Sequence, residues 1–376
     1  MPSASWRCLE YDMKKPKTLR IGRRTVGEGR PVYVIAEAGS NHNRSLRTAK
    51  RLIDVAAKAG ADAVKFQTFS AETLYSKRTP KMRYLKKITA VSQSVFDILK
   101  GLELPRKWHP DLAAQCRKRG VDFLSTPFDE AAVDQLAAVG VPALKIASFE
   151  ITHLPLIRHA ARRGRPMILS TGMADLEDIR LAVKTCRAAG NSKILLMHCA
   201  IGYPPRAEDI NLRAMVTVRE EFGLPVGYSD HSRGHNAAVA AVALGACCIE
   251  KHFTLSRQMK GPDHGYALEP DEMAEMVGAV RETSAALGSS VKRCTPAERE
   301  MHRLGRRSLV AAREIPRGRR VTRADVAVKR PGFGIHPKDI TRLVGSVATR
   351  RIAEDEVLTW KAFRKGGAGR APRRKK

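Results

Sequence analysis

Pro225-Val-Gly-Tyr-Ser-Asp-His231 and Cys247-Cys-Ile-Glu-Lys-His-Phe-Thr254 decide how this chain is read. Each is a short apolar run that finishes in charge, the first in Asp230-His231 and the second in Lys251-His252. As neighbouring strands of one sheet they put two imidazoles at adjacent strand tips. A core has no use for so many charges, whereas a metal ion and an anionic substrate do.

The same pattern recurs upstream. Apolar, β-rich runs at 32–38, 63–69, 121–128, 143–149, 166–171, 193–199, 225–229 and 247–253 alternate with segments of helical period such as 48–60 and 176–189. Near-continuous apolar strands between helices mean a parallel sheet covered by helices. Eight such units over about 250 residues predict a closed (β/α)8 TIM barrel. No GxGxxG opens the first βα turn, which argues against an open dinucleotide-binding sheet. The spacing breaks once, at 70–104, where a barrel would raise a long loop on its catalytic face as a lid or substrate wall. Beyond a polar linker the pattern changes to short β-type runs at 308–311, 320–322, 326–329 and 356–360. The expected order is a basic extension over 1–18, the barrel over 19–287, a linker over 288–306, a small β-rich module over 307–363 and a disordered basic tail over 364–376. A module of that size has too little core to stand alone and should dock on something.

Composition narrows the class. With 376 residues, 43% of them hydrophobic, the chain can bury a full core, and no apolar run approaches the ~20 residues of a membrane span. The N-terminus lacks the apolar core of a signal peptide, and seven cysteines without paired spacing read as reduced thiols of a cytoplasmic protein. The net charge of +30 gathers partly at the ends, in Lys14, Lys15, Arg23 and Arg24 and again in Arg370, Arg373, Arg374, Lys375 and Lys376. No aromatic residues interleave with the tail to stack on bases, so a solvated surface is preferred to a nucleic-acid contact. The positive field would also draw in a phosphorylated substrate.

Polar residues at the C-terminal ends of barrel strands read as catalytic, because the loops there build the site. In chain order they are Glu37 with Asn41 and His42, Lys65 and Gln67, Ser125 and Thr126, and then Lys145, Ser148 and Glu150. Ser170 and Thr171, His198 and Tyr203, Asp230 and His231, and Glu250 and His252 complete the series. Two lysines with hydroxyls on other strands suit a phosphate and a carboxylate held together, although each lysine could instead pair with a glutamate inside the barrel. His231 and His252 are the candidate metal ligands, with Glu37 able to add an oxygen, and carboxylate and water favour a hard ion such as manganese. His198-Cys199 reads as core.

These residues carry a resemblance. The chain is similar to the sialic acid synthase family, which includes N-acetylneuraminate, legionaminate and pseudaminate synthases. The matching stretches are Ile35-Ala-Glu-Ala-Gly-Ser-Asn-His-Asn43, Val64-Lys-Phe-Gln-Thr-Phe69, Ser125-Thr-Pro-Phe128, Lys145-Ile-Ala-Ser-Phe-Glu150 and Leu169-Ser-Thr-Gly-Met173. Ser229-Asp-His231, Lys251-His-Phe-Thr254 and Gly261-Pro-Asp263 follow, and Val328-Lys-Arg-Pro-Gly332 resembles that family's C-terminal antifreeze-like (SAF) domain. The resemblance implies condensation of phosphoenolpyruvate with an N-acylated amino sugar aldehyde (N-acetylmannosamine or a 2,4-diacetamido hexose) and water. The products are a nine-carbon 3-deoxy-2-keto acid and phosphate. It implies a manganese or magnesium ion on His231 and His252. Lys65, Lys145, Ser148 and Ser170 would hold phosphoenolpyruvate with Thr126 beside them. Glu37 and Glu150 would orient water or sugar, and Tyr203 and Asp263 would take sugar hydroxyls. It further implies a domain-exchanged homodimer in which Arg330 reaches the acyl group of the partner's sugar. Two departures fall on the expected sugar side: 70–104 contains no asparagine, and Ile201 stands where a small polar residue is usual.

Two other readings remain open at this level. One is another 3-deoxy sugar acid synthase, or a Schiff-base aldolase using Lys65 or Lys145, which borohydride trapping with pyruvate would label. The other is a barrel that binds nucleic acid through its basic ends, which predicts salt-sensitive binding lost when the residues after 363 are removed.

Overall fold

The computed structural model describes residues 17–80 and 94–366. The N-terminal basic extension up to residue 16, the middle of the long loop (81–93) and the tail from 367 lie outside the described residues. The chain divides into two compact units, one up to Gly288 and one from Ser289.

The first unit opens with a hairpin that the sequence reading did not anticipate, β1 (Thr18–Ile21) and β2 (Arg24–Gly27), paired antiparallel. Eight parallel strands then follow at the eight expected places: β3 (Tyr33–Gly39), β4 (Ala63–Thr68), β5 (Asp122–Pro127), β6 (Leu144–Ile146), β7 (Met167–Ser170), β8 (Ile194–Cys199), β9 (Val226–Asp230) and β10 (Cys248–His252). Their hydrogen-bonded order is β5-β4-β3-β10-β9-β8-β7-β6, and the two ends of that order are consecutive strands that lie side by side and close the barrel. The run at 143–149 yields only three strand residues, because the chain turns at Ser148–Glu150 into a short 3-10 helix.

Strand alternation sorts the side chains into two cores. Val34, Val64, Leu144, Leu169, Leu196 and Ile249 face the surrounding helices, among them Leu46–Lys58 and Leu176–Ala188. Ser45 and Asp175 cap the starts of those two helices, and helix Glu130–Val139 ends on left-handed Gly140. Inside the barrel, Tyr33, Ile35, Leu124, Ile168, Leu195 and Met197 form an apolar layer, and Leu19, Ile21 and Val26 of the hairpin pack into it from below. The hairpin thereby plugs the N-terminal end. Two residues beyond Ile35, Leu124 and Ile168 stand Glu37, Thr126 and Ser170, so polar groups stand above a sealed apolar floor, at the C-terminal mouth.

The second unit has its own core, including Leu309, Val321, Val326, Leu343 and Leu358. Here β11 (Ser308–Ala311) pairs β12 (Val326–Lys329), and β13 (Val347–Ala348) pairs β14 (Phe363–Arg364). The runs at 320–322 and 356–360 are single bridges at Arg320 and Val357 rather than strands. The stretch expected as a plain linker carries a helix, Arg299–Leu304.

Candidate active site

Two residues along β3 from Ile35 stands Glu37, and two further stands Gly39, at a break in the β3–β4 register. Gly39 has φ +48, and a Cβ there would lie 3.4 Å from Asp263 Oδ2, 3.4 Å from Glu37 Oε1 and 3.5 Å from Gln67 Nε2. The glycine thus supplies a left-handed turn and leaves room for three polar groups around one point.

The mouth of the barrel is a lined cavity, with Glu37, Lys65, Thr126, Lys145, Ser148, Ser170, Tyr203, His231, His252 and Asp263 all on its wall. Lys65 Nζ lies 2.9 Å from Glu37 Oε2, 3.6 Å from Glu250 Oε1 and 3.0 Å from Thr126 Oγ1. Lys145 Nζ donates to Ser170 Oγ at 2.5 Å and lies 4.0 Å from Glu250 Oε1. One carboxylate therefore sits between both ammoniums, held by Ser229 Oγ at 3.1 Å. Burial works against every charge here, and the balance differs by residue. Burial pulls Lys65 down, but the carboxylates of Glu250 and Glu37 outweigh it and raise its pKa. Lys145 is lowered by burial, which the more distant Glu250 does not offset. Glu37 is pushed up to about 7 by burial, against the pull of Lys65. For Glu250 the two lysines overcome burial and keep it ionised.

Next to Glu37, which is the register partner of His252, the His231 and His252 rings stand with centroids 5.2 Å apart, flanked by Tyr203 and Tyr266. Cys199 Sγ lies 3.6 Å from His231 Nδ1. Burial lowers His231 to about 4 and His252 well below the ordinary imidazole range, so both are neutral, the form that ligates a metal. His252 Nδ1 is buried without a hydrogen-bond partner. Glu37 does not complete a ligand set: its two oxygens face Lys65 and Gln67. Among the described residues no group of three His, Cys, Asp or Glu side chains gathers for an ion. Two imidazoles with open coordination positions suit a catalytic ion that takes its other ligands from water or substrate, and not a closed structural site.

Several expected residues fall elsewhere. Glu150 is buried in the turn after β6 and is not on the cavity wall; its Oε2 has no hydrogen-bond partner. Asp230 and Lys251 point out through the barrel wall, where Nζ and Oδ2 pair at 2.8 Å, because alternation sends the residue before each inward histidine to the other face. Ser125 likewise faces outward, with its Oγ 2.8 Å from Thr68 Oγ1, and His198 reaches the carbonyl of Ile210. Arg330 is exposed in the second unit, in the turn after β12. Ile201 does line the cavity, near Ser148. A Cβ on Gly172 would lie 2.8 Å from Ile201 Cγ1 and 2.9 Å from Ser148 Oγ, and Gly172 N–H donates to that Oγ at 3.0 Å. The loop expected as a wall is one in its described part, through Leu74, Tyr75, Val95, Ile98 and Leu99. Tyr266, absent from the sequence reading, donates to Asp263 Oδ1 at 3.0 Å. Its signal was three-residue spacing from Asp263 in a loop. Glu250, a strand end in the sequence, takes its role only from the fold, which sets it between the two lysines.

Glu150 offers a direct test of its burial, which raises its carboxyl to about 7 against the pull of Lys145. A carboxyl raised in this way binds its proton more tightly folded than unfolded, so its contribution is full below about pH 4.5 and is lost as pH rises through about 7. Glu150→Gln should therefore gain stability relative to the parent between pH 5 and 8, by at most ~3 kcal/mol. Paired thermal melts across that range read the difference, and a constant offset would refute the assignment.

A parallel barrel that seals its floor with apolar residues and gathers lysines, hydroxyls and neutral imidazoles at its mouth has the architecture of a (β/α)8 enzyme. More particularly, the chain belongs to the NeuB family, which residues 52–292 match, and residues 306–364 match the SAF domain. It is 41% identical over 338 residues to the N,N'-diacetyllegionaminic acid synthase of Legionella pneumophila, spanning 89% of this chain and 95% of that one. It is 42% identical over 327 residues to the enzyme of the same name from Campylobacter jejuni, spanning 86% and 98%. The crystal structure of N-acetylneuraminic acid (sialic acid) synthetase from Leptospira borgpetersenii serovar Hardjo-bovis superposes with TM-score 0.69 at 34% identity, over 76% of this chain and 95% of that one. The chain is accordingly an enzyme of the sialic-acid-synthase type. Among its described residues no helix is long and apolar enough to cross a membrane.

Proposed function

We propose that this enzyme condenses phosphoenolpyruvate with an N-acylated amino sugar aldehyde and water, giving a nine-carbon 3-deoxy-2-keto acid and inorganic phosphate. The observation that carries the reading is one cavity that gathers Lys65, Lys145 and three hydroxyls together with two neutral imidazoles. Lys65 with Thr126, and Lys145 with Ser170 and Ser148, would bind the phosphate and carboxylate of phosphoenolpyruvate and orient its C3 toward the aldehyde. A manganese or magnesium ion on His231 and His252 would supply Lewis-acid polarisation of the aldehyde oxygen. Glu37, poised near neutrality, can deliver a proton to the developing alkoxide and take one from the water that adds at C2. Asp263, oriented by Tyr266, and Tyr203 would hold sugar hydroxyls. The apolar wall of Val95, Ile98 and Leu99 keeps bulk water from the reacting atoms.

For the acceptor, the two relatives named for N,N'-diacetyllegionaminic acid favour a 2,4-diacetamido hexose over N-acetylmannosamine. A cytoplasmic location accompanies the reading, supported by six free cysteines among the described residues, five of them buried. A domain-exchanged homodimer accompanies it as well, with Arg330 of one subunit on the acyl group of the other's sugar. On that basis Arg330→Ala should raise the sugar KM about tenfold or more, the worth of one charge-assisted hydrogen bond, and leave the phosphoenolpyruvate KM near its parent value. Unchanged sugar kinetics would remove Arg330 from the site.

The deciding experiment follows phosphate release from phosphoenolpyruvate with manganese across acetamido sugars. Release that depends on one 2,4-diacetamido hexose and stops with EDTA is the expected result. Release without any sugar, or untouched by EDTA, would overturn the reaction or its metal.

A further inference from the structure

We propose that the buried pair of Asp230 and Lys251 is a clamp that sets the spacing of the His231 and His252 imidazoles. The inference rests on the histidine pair being a ligand site and assigns a positioning role to two charges that the cavity does not use.

The Asp230 and Lys251 side chains are 0% and 1% exposed and sit opposite each other in the β9–β10 register, on the outer face of the barrel wall. Lys251 Nζ lies 2.8 Å from Asp230 Oδ2 and also donates to the backbone carbonyl of Ser232. Asp230 Oδ1 in turn accepts from the Ser232 backbone N–H at 2.8 Å and from the Tyr228 hydroxyl at 3.2 Å. One ammonium therefore grips both residues that flank His231, and the same lysine immediately precedes His252.

This grip acts where the sheet cannot. Strand β9 ends at Asp230, so His231 is already the first residue of a loop, whereas His252 is still the last residue of β10. Ladder hydrogen bonds hold one ring's backbone and not the other's. An ion tolerates only a few tenths of an ångström in its ligand distances, so a loop-borne ligand needs a second restraint. Stability alone does not account for the pair. Taking two charges out of water costs about what their attraction returns, and well-packed apolar replacements are often neutral or better. What an apolar pair cannot do is bind the N–H and the carbonyl of Ser232 at once.

The test compares the full-length protein with the double variant Asp230→Leu/Lys251→Met and with Lys251→Arg, which keeps the charge pair. Three quantities are read: the melting temperature, manganese binding by electron paramagnetic resonance, and the ring resonances of His231 and His252 in the metal-free protein. The double variant should melt near the parent, bind manganese about 10–100-fold more weakly and shift both ring resonances, whereas Lys251→Arg should stay within roughly threefold of the parent affinity. A folded double variant with parent affinity and unmoved resonances would overturn the clamp. Should that variant not fold, Asp230→Asn takes its place with the same readouts. If the parent itself takes up no manganese, the metal reading falls, and the ring resonances still decide whether the pair positions the histidines.

Discussion

Removing either imidazole, by His231→Ala or His252→Ala, is expected to cut turnover by about 10³-fold or more and to weaken manganese uptake. A bound Lewis acid contributes several kcal/mol of transition-state stabilisation, and ~4 kcal/mol corresponds to roughly three decades in rate. The cavity offers no substitute. Glu37 is occupied by Lys65 and Gln67, and no further His, Cys, Asp or Glu joins the two rings among the described residues. Cys199, 3.6 Å from His231 Nδ1, has its thiol pushed up to about 11 by burial and is a poor replacement ligand near neutral pH. Phosphate release and a manganese titration on each variant check the claim. Full activity in either would remove the metal site as drawn.

The second large effect is at Lys145. Lys145→Ala should raise the phosphoenolpyruvate KM by about two decades while the sugar KM changes little. A charge-assisted hydrogen bond accounts for ~1.5–3 kcal/mol of that loss. The remainder comes from Glu250, which is now shared between Lys65 at 3.6 Å and Lys145 at 4.0 Å. With Lys145 gone its negative charge faces the incoming phosphate less compensated, so the variant loses an attraction and gains a repulsion. Direct binding of phosphoenolpyruvate, measured with the melting temperature, separates this effect from simple unfolding. Parent-like affinity would place the phosphate elsewhere, and sugar KM rising in step would argue for a general loss of the cavity.

Much of this was legible beforehand. Eight apolar runs at regular spacing announced the barrel, and Lys65, Lys145, His231 and His252 were all found at strand ends because burying charge at such regular positions has few explanations. Reading failed where the signal was not periodic. The N-terminal hairpin is eight strand residues with Arg, Thr and Gly among them, and its role as a floor depends on Leu19, Ile21 and Val26 meeting a barrel assembled from distant segments. Tyr266 acts through a loop conformation, which no pattern encodes.

Local sequence was sufficient for the parallel barrel, its alternation of strands and helices, and Lys65, Lys145, His231 and His252 at its mouth, because hydrophobic period and strand termination are written within a few residues of one another. Facing and partnership belong to the folded state. Asp230 and His231 are chain neighbours with opposite fates, one locked to Lys251 outside the wall and the other neutral inside it. That division follows from where each strand ends and from its register with the next, which is set only when residues far apart in the chain pack together and water is excluded from between them.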